Sequence, residues 1–229
     1  MPEKYVIIVA GGSGSRMGST LPKQFLEVNG RPILMRTIEV FSSFDPAMAI
    51  ILVLPQSNMA LWKELCEEHR FLPAHQIVAG GASRFQSVRN GLEHLPDKGL
   101  VAIHDGVRPF VSTEVITQGF EVASKQGNAI VSLPLKESIR EVPGPGNKSA
   151  ARDRSKYRLV QTPQTFDISV IKKAYRQPES ALFTDDASVV ESAGDSIVLI
   201  DGNEENIKIT HQADLLIAEA LLKNKKSPA

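Results

Sequence analysis

Cysteine is nearly absent from the chain: Cys66 stands alone among 229 residues. An internal disulfide framework is therefore excluded, and a reducing compartment is expected. Lying in a helix-like stretch, Cys66 reads as structural filler. No Cys/His cluster supports a zinc site, and His69, His75, His94 and His211 have no metal-ligand spacing. An excess of one charge is missing too. Lys+Arg and Asp+Glu number 26 each, a formal net charge of zero, which argues against broad electrostatic binding to nucleic acid or to a membrane surface. Any basic site has to be local. Long apolar runs are also lacking. The run that follows the first residues, Tyr5 to Ala10, is too short for a signal-peptide core or a membrane span. A cytoplasmic protein with neither nucleic-acid nor membrane partners is expected. Hydrophobic residues still make up 42% of the chain, enough for one large α/β domain or two small ones.

What the chain does have is a first strand that runs into a glycine-rich, basic loop. Val6-Ile7-Ile8-Val9 is an apolar, β-branched run of the kind found in buried parallel strands. Ala10-Gly11-Gly12-Ser13-Gly14-Ser15-Arg16-Met17 follows, then Pro22-Lys23-Gln24. Glycines past a strand end let backbone press close to a ligand and leave N–H groups free to point at it. Arg16 and Lys23 add fixed positive charge, a combination suited to a polyphosphate. The dinucleotide fingerprint G-x-G-x-x-G fails: Gly12 and Gly14 fit, but its third position falls on Met17, with Gly18 one residue late. The Walker pattern fails for want of a Gly-Lys pair in this loop.

Strand-like and helix-like segments alternate along the chain, which predicts a Rossmann-like α/β fold with a mostly parallel sheet and helices on both faces. Strands are expected at Tyr5–Ala10, Ala49–Leu54, Gln76–Ala79, Leu100–His104, Ala129–Leu133 and Ser196–Ile200. Helices are expected from Pro32, over Asn58–Arg70 and Ser83–Leu95, from Ser112 to about Lys125, and over Asp167–Arg176, Asp185–Ala193 and Gln212–Lys223. Thr184 reads as the cap of the helix over Asp185–Ala193. The rhythm breaks at Lys136–Arg158, where Pro143-Gly144-Pro145-Gly146-Asn147 separates two short polar segments. This reads as a protruding β-arm on a single domain. An arm with little core of its own is expected to lean on a partner subunit.

In open α/β sheets ligands sit beyond the carboxyl ends of the strands. Those ends carry the Gly11–Lys23 loop, Gly80-Gly81-Ala82-Ser83-Arg84 with Ser87, His104-Asp105-Gly106-Val107-Arg108-Pro109, and Asp201 through Lys208. Asp105 is the residue expected to hold Mg²⁺, which keeps several waters and takes one or two protein oxygens. His104 reads as a packed strand residue.

Taken in order, these blocks resemble a known family. The loop Ala10-Gly11-Gly12-x-Gly14-x-Arg16-Met17 with Pro22-Lys23-Gln24 is similar to that of nucleotidyltransferases acting on small phosphates. Gly80-Gly81-x-x-Arg84 with Ser87-Val88, His104-Asp105-x-x-Arg108-Pro109, Gln161-Thr162-Pro163-Gln164, and Thr184-Asp185-Asp186-Ala187-Ser188 with Asn206-Ile207-Lys208 narrow it. They resemble the 2-C-methyl-D-erythritol 4-phosphate cytidylyltransferases of the non-mevalonate isoprenoid pathway. The resemblance implies CMP transfer from CTP, Mg²⁺ as cofactor and a homodimer with crossed arms. It further implies that Ala10, Gly11, Gly12, Gly14, Arg16 and Lys23 cradle the triphosphate, and that Gly81 and Ser87 meet the cytidine. Asp105 would sit by metal and phosphates. Arg108, Ser138, Arg154, Thr184 and Lys208 would surround the acceptor, with Arg16, Lys23 and Lys208 catalytic. Ala82 departs from members that carry an acid facing the ribose, and Ser138 from those with threonine. The sister family, the ribitol 5-phosphate cytidylyltransferases, shares the CTP half of the site. Asp153-Arg154 and the run Tyr157 to Gln161 resemble the methylerythritol family more. A nucleotide-binding module without turnover is the alternative of another class. The intact set Lys23, Asp105 and Lys208 speaks against it.

Overall fold

A computed structural model describes residues 2–11, 21–144 and 148–225, with 224 and 225 described by backbone alone. A seven-stranded sheet runs through the molecule. Its strands are β1 (Lys4–Val9), β2 (Ala49–Leu54), β3 (Gln76–Ala79), β4 (Leu100–Asp105), β5 (Asn128–Pro134), β8 (Arg158–Asp167) and β9 (Leu199–Asp201), in the order β3-β2-β1-β4-β8-β5-β9. The pairs β1–β2, β2–β3, β1–β4 and β5–β9 are parallel. Only β8 runs against its neighbours β4 and β5. The expected mostly parallel sheet is therefore present, with one antiparallel strand inserted near its middle.

Alternation along β1 divides the core. Val6 and Ile8 face α1 (Ile33–Phe44), α2 (Met59–Glu68) and α4 (Thr113–Gln126), packing with Leu34, Ile38, Phe41, Trp62, Ile116 and Phe120. Ile7 faces the other side, with α3 (Arg84–Leu92), α5 (Ile168–Ala174) and α6 (Asp186–Ser192), among Val88, Leu92, Ile171 and Val190. The last helix, α7 (Gln212–Lys225), closes a smaller cluster of Val28, Ile33, Val107, Phe110, Ile209 and Ala218. The helix ends follow their local chemistry. Ser112 caps α4 by accepting the Val115 N–H, and Ser83 caps α3 by accepting that of Gln86.

Three readings of the sequence are corrected. Strand β8 was not among the expected strands, and it carries Pro163, which lacks an N–H for a central ladder. The structure accommodates it at an irregularity: Ile130 pairs with Gln164 but Ser132 with Val160, so Pro163 falls where the ladder to β5 is open. The cap of α6 is Asp185, not Thr184. Asp185 is extended and its carboxylate accepts the Ser188 N–H at 2.9 Å, while the Ser188 hydroxyl accepts the Asp185 N–H at 3.2 Å. At α1, Pro32 stands just before the helix, with ψ at 138°, rather than in its first turn. The arm is present as read: β6 (Ile139–Glu141) and β7 (Ala150–Arg152) form a separate antiparallel pair, largely exposed and held by Arg140 to Ser149 and Arg152 to Glu141. No helix among the described residues is long and apolar enough to cross a membrane.

Candidate active site

The strand order reverses direction at β1, where β2 lies on one side and β4 on the other. The register pairs Val9 with Asp105, so the carboxyl ends of these two strands stand side by side. A cavity of about 310 Å³ opens beyond them. Ala10 and Gly11 line it from β1, Asp105 and Val107 from β4, and Lys23 and Gln24 from the turn that follows the first loop. Gly81 to Arg84 and Ser87 close it from the start of α3, and Lys208 from the segment before α7.

Asp105 is the electrostatic centre. Lys208 Nζ donates to its Oδ2 at 2.9 Å, and Arg108 Nε to the same oxygen at 3.3 Å. Burial alone would push this carboxyl up, but Lys208, Arg84 and Arg108 together outweigh burial and hold it well below the usual carboxylate range. The group is ionised throughout the physiological range. Arg108 Nη1 also donates to the Asn206 carbonyl at 2.8 Å, which ties the β4 end to the Lys208 segment. Behind it, His104 is fully buried, edge-on to Phe41, and held by the Arg108 carbonyl at 2.9 Å. Burial pushes its imidazole down to about 4, so it packs as a neutral ring, as its place in the strand implied.

The glycine loop before α3 packs closely on the helix that follows it. A Cβ on Gly81 would lie 2.3 Å from Gln86 Cβ, so only glycine fits there. Its N–H donates to Ser87 Oγ at 3.2 Å, and Ser87 in turn donates to the Ser83 carbonyl at 2.8 Å. Ser87, read from the resemblance as a cytidine contact, thus also shapes this loop. The Ala82 N–H is engaged by Gln86 Oε1 at 3.1 Å. Gly81→Ala should lower stability by about 1–3 kcal/mol through overpacking. Thermal melting checks this; an unchanged melt would contradict the close packing.

Arg84 lines the cavity, and sequence reasoning left it without a role. Its guanidinium pairs in bidentate fashion with the fully buried Asp186, at 2.8 and 2.6 Å. The partners are 102 positions apart, so no local pattern could join them. Gln164 was likewise unassigned: its side chain receives the Ala187 N–H and donates to Asp185, anchoring α6 to β8. Gln24 anchors the turn of Lys23 by donating to the Ala10 carbonyl at 2.9 Å.

The expected residues thus fall into groups. Ala10, Gly11, Lys23, Gly81, Ser87, Asp105 and Lys208 meet around the cavity, with Arg108 bonded to Asp105 at its edge. Thr184 is exposed just ahead of α6. Ser138 and Arg154 lie on the exposed arm and do not line this cavity; Arg154 bonds the Lys136 carbonyl. Gly12, Gly14 and Arg16 lie outside the described residues.

With Arg84 neutralised by Asp186, Lys23 and Lys208 against Asp105 still leave the cavity wall in positive excess, an environment for a polyanion. Among the described residues, no group of three or more His, Cys, Asp or Glu side chains could hold a metal. That excludes a closed zinc or calcium cage built from these side chains. Mg²⁺ takes one or two carboxylate oxygens and completes its shell from phosphates and water. Both cations on Asp105 use Oδ2, and the ionised carboxylate fits such an ion.

Comparison with known proteins agrees with the geometry. The family model for 2-C-methyl-D-erythritol 4-phosphate cytidylyltransferase matches residues 5–224. The enzyme of that name from Phocaeicola vulgatus is 52% identical over 219 residues, covering 96% of this chain and 99% of the relative. That from Syntrophus aciditrophicus is 39% identical over 229 residues, with 98% of each chain covered. Among solved structures, 4-diphosphocytidyl-2C-methyl-D-erythritol synthase from Anaerococcus prevotii superposes with a TM-score of 0.81 at 29% identity, over 97% of this chain and 96% of that one. The cytidylyltransferase from Thermus thermophilus gives 0.74 at 30% identity, over 95% and 98%. With its Asp105-centred cavity at the junction of β1 and β4 and a match over nearly its whole length, the chain belongs to the 2-C-methyl-D-erythritol 4-phosphate cytidylyltransferase family.

Proposed function

We propose that the chain transfers CMP from CTP to 2-C-methyl-D-erythritol 4-phosphate, releasing pyrophosphate and forming 4-diphosphocytidyl-2-C-methyl-D-erythritol. The observation that carries this reading is the cavity itself, where Lys23, Lys208 and the ionised Asp105 converge beyond β1 and β4. A phosphate oxygen of the acceptor attacks the α-phosphorus of CTP. One P–O bond forms there, and the bond from the α-phosphorus to the oxygen bridging to the β-phosphate breaks. The electron pair leaves with pyrophosphate. The nucleophile is already an anion, so no general base and no covalent enzyme intermediate are required, and catalysis is positioning plus charge stabilisation.

Lys23, with Arg16, stabilises charge growing on the α-phosphate and the leaving pyrophosphate. Lys208, oriented by Asp105, holds the acceptor phosphate against its repulsion from CTP. Ala10, Gly11, Gly12 and Gly14 supply backbone to the triphosphate, and Gly81 and Ser87 the cytidine pocket. Asp105 would hold Mg²⁺, which would supply neutralisation of phosphate charge. Arg108 and Thr184 complete the acceptor side. The chain works as one domain in the cytoplasm and as a homodimer. Its arm, 136–158, carries Ser138 and Arg154 to the partner's site. Supporting this, no described residue of the arm is among the residues that line the cavity. CTP labelled at the α-phosphate should give a product holding label, cytidine and methylerythritol together. Label recovered as free CMP would contradict the transfer.

Arg154→Ala should raise KM for the acceptor about ten- to a hundredfold, the worth of a charged hydrogen bond, and leave CTP binding intact. Mixed dimers of Arg154→Ala with Lys23→Ala subunits should regain one working site. Steady-state rates on the mixture, with no recovery, would rule out the crossed arm.

A further inference from the structure

Three consecutive residues of the first turn of α3 grip one distant segment. Arg84 forms its bidentate pair with Asp186. Phe85 stacks on Tyr175, with ring centroids 4.6 Å apart, and on Phe183, at 5.6 Å. Gln86 donates to Glu179 at 2.9 Å. Tyr175 closes the arrangement by donating its hydroxyl to Asp186 Oδ1 at 2.5 Å. Asp186 thus has each carboxylate oxygen engaged, and it is fully buried. On one side of this clamp lies Gly81, three residues before Arg84, at the cavity wall. On the other lies Thr184, two residues before Asp186. A bidentate Arg–carboxylate pair fixes orientation as well as distance, which a Lys at the same position does not.

We propose that Arg84 is a positioning residue that couples the two halves of the site, by fixing the Thr184 segment relative to the Gly81 loop. The inference rests on the assignment of cytidine to the Gly81 side and acceptor to the Thr184 side. Because coupling between sites is reciprocal, the acceptor should tighten nucleotide binding as much as nucleotide tightens the acceptor. A purely structural ion pair would lower stability or both affinities and leave that factor unchanged.

The test is calorimetric titration with the α,β-methylene analogue of CTP and Mg²⁺, which cannot transfer CMP, with and without 2-C-methyl-D-erythritol 4-phosphate. The wild type should bind the analogue about tenfold more tightly when the acceptor is present, within the usual range of coupling factors. Arg84→Lys, and the milder Tyr175→Phe that keeps the ring on Phe85, should bind each ligand alone but with the factor reduced toward one. A wild-type factor retained in both variants would overturn the proposal. So would a wild type that binds the analogue equally with and without the acceptor. A wild type that binds no analogue at all would instead remove the assignment of the cavity to CTP, and the coupling with it.

Discussion

Lys23→Ala should lower kcat by about 10²–10³, the cost of removing one donor aimed at charge that develops in the transition state. Lys23 opens the short turn Lys23–Phe25, and two neighbours fix that turn. Phe25 is buried against Trp62, with centroids 6.0 Å apart, and Gln24 is bonded to the Ala10 carbonyl. The side chain is therefore delivered to the cavity from a rigid base, which is what allows a fixed charge to act without reorganising. CTP binding should weaken far less than turnover, because the interaction is strongest once charge moves onto the leaving pyrophosphate. Single-turnover pyrophosphate release at saturating CTP separates the two effects. A near-normal rate would remove Lys23 from the mechanism.

Asp186→Ala should destabilise the fold by about 3 kcal/mol, the low end for a broken buried ion pair, because the Arg84 side chain is 32% exposed and retains some water. The variant strands the Arg84 guanidinium and leaves the buried Tyr175 hydroxyl without its acceptor. For a chain of this size the melting temperature should fall by about 6–12 °C. A loss below about 1 kcal/mol, the ordinary surface value, would mean that the pair is solvated and not structural. Lys23→Ala acts on rate first, and Asp186→Ala on stability first. The two variants therefore separate the reacting groups from the scaffold that holds them.

The parallel strands on one side of β1 were legible in the sequence because their cause is local. Ala49–Leu54 and Gln76–Ala79 are apolar runs bounded by turn residues, and the structure gives the same limits. Asp105 was legible as a carboxylate at a strand end, read together with the first loop and Arg108. Strand β8 was not, because what admits Pro163 is an irregularity in its pairing with β5, a property of two strands rather than one. The Thr184 cap failed for a related reason: Thr, Asp and Ser are all good caps, and the choice of Asp185 is enforced from outside by Gln164 on β8. Arg84 was visible as part of a motif, yet its partner is set by the packing of α3 on α5 and α6. The common thread is sequence separation. Groups whose geometry is set within a few residues could be read, and those fixed by tertiary contact could not.

The measurement that tests the central claim most directly is pyrophosphate release with CTP and Mg²⁺, offering 2-C-methyl-D-erythritol 4-phosphate and ribitol 5-phosphate in separate reactions. The account predicts release with the methylerythritol acceptor and none above background with ribitol phosphate. Release with ribitol phosphate alone would contradict the acceptor assignment, and silence with both would contradict the transfer itself.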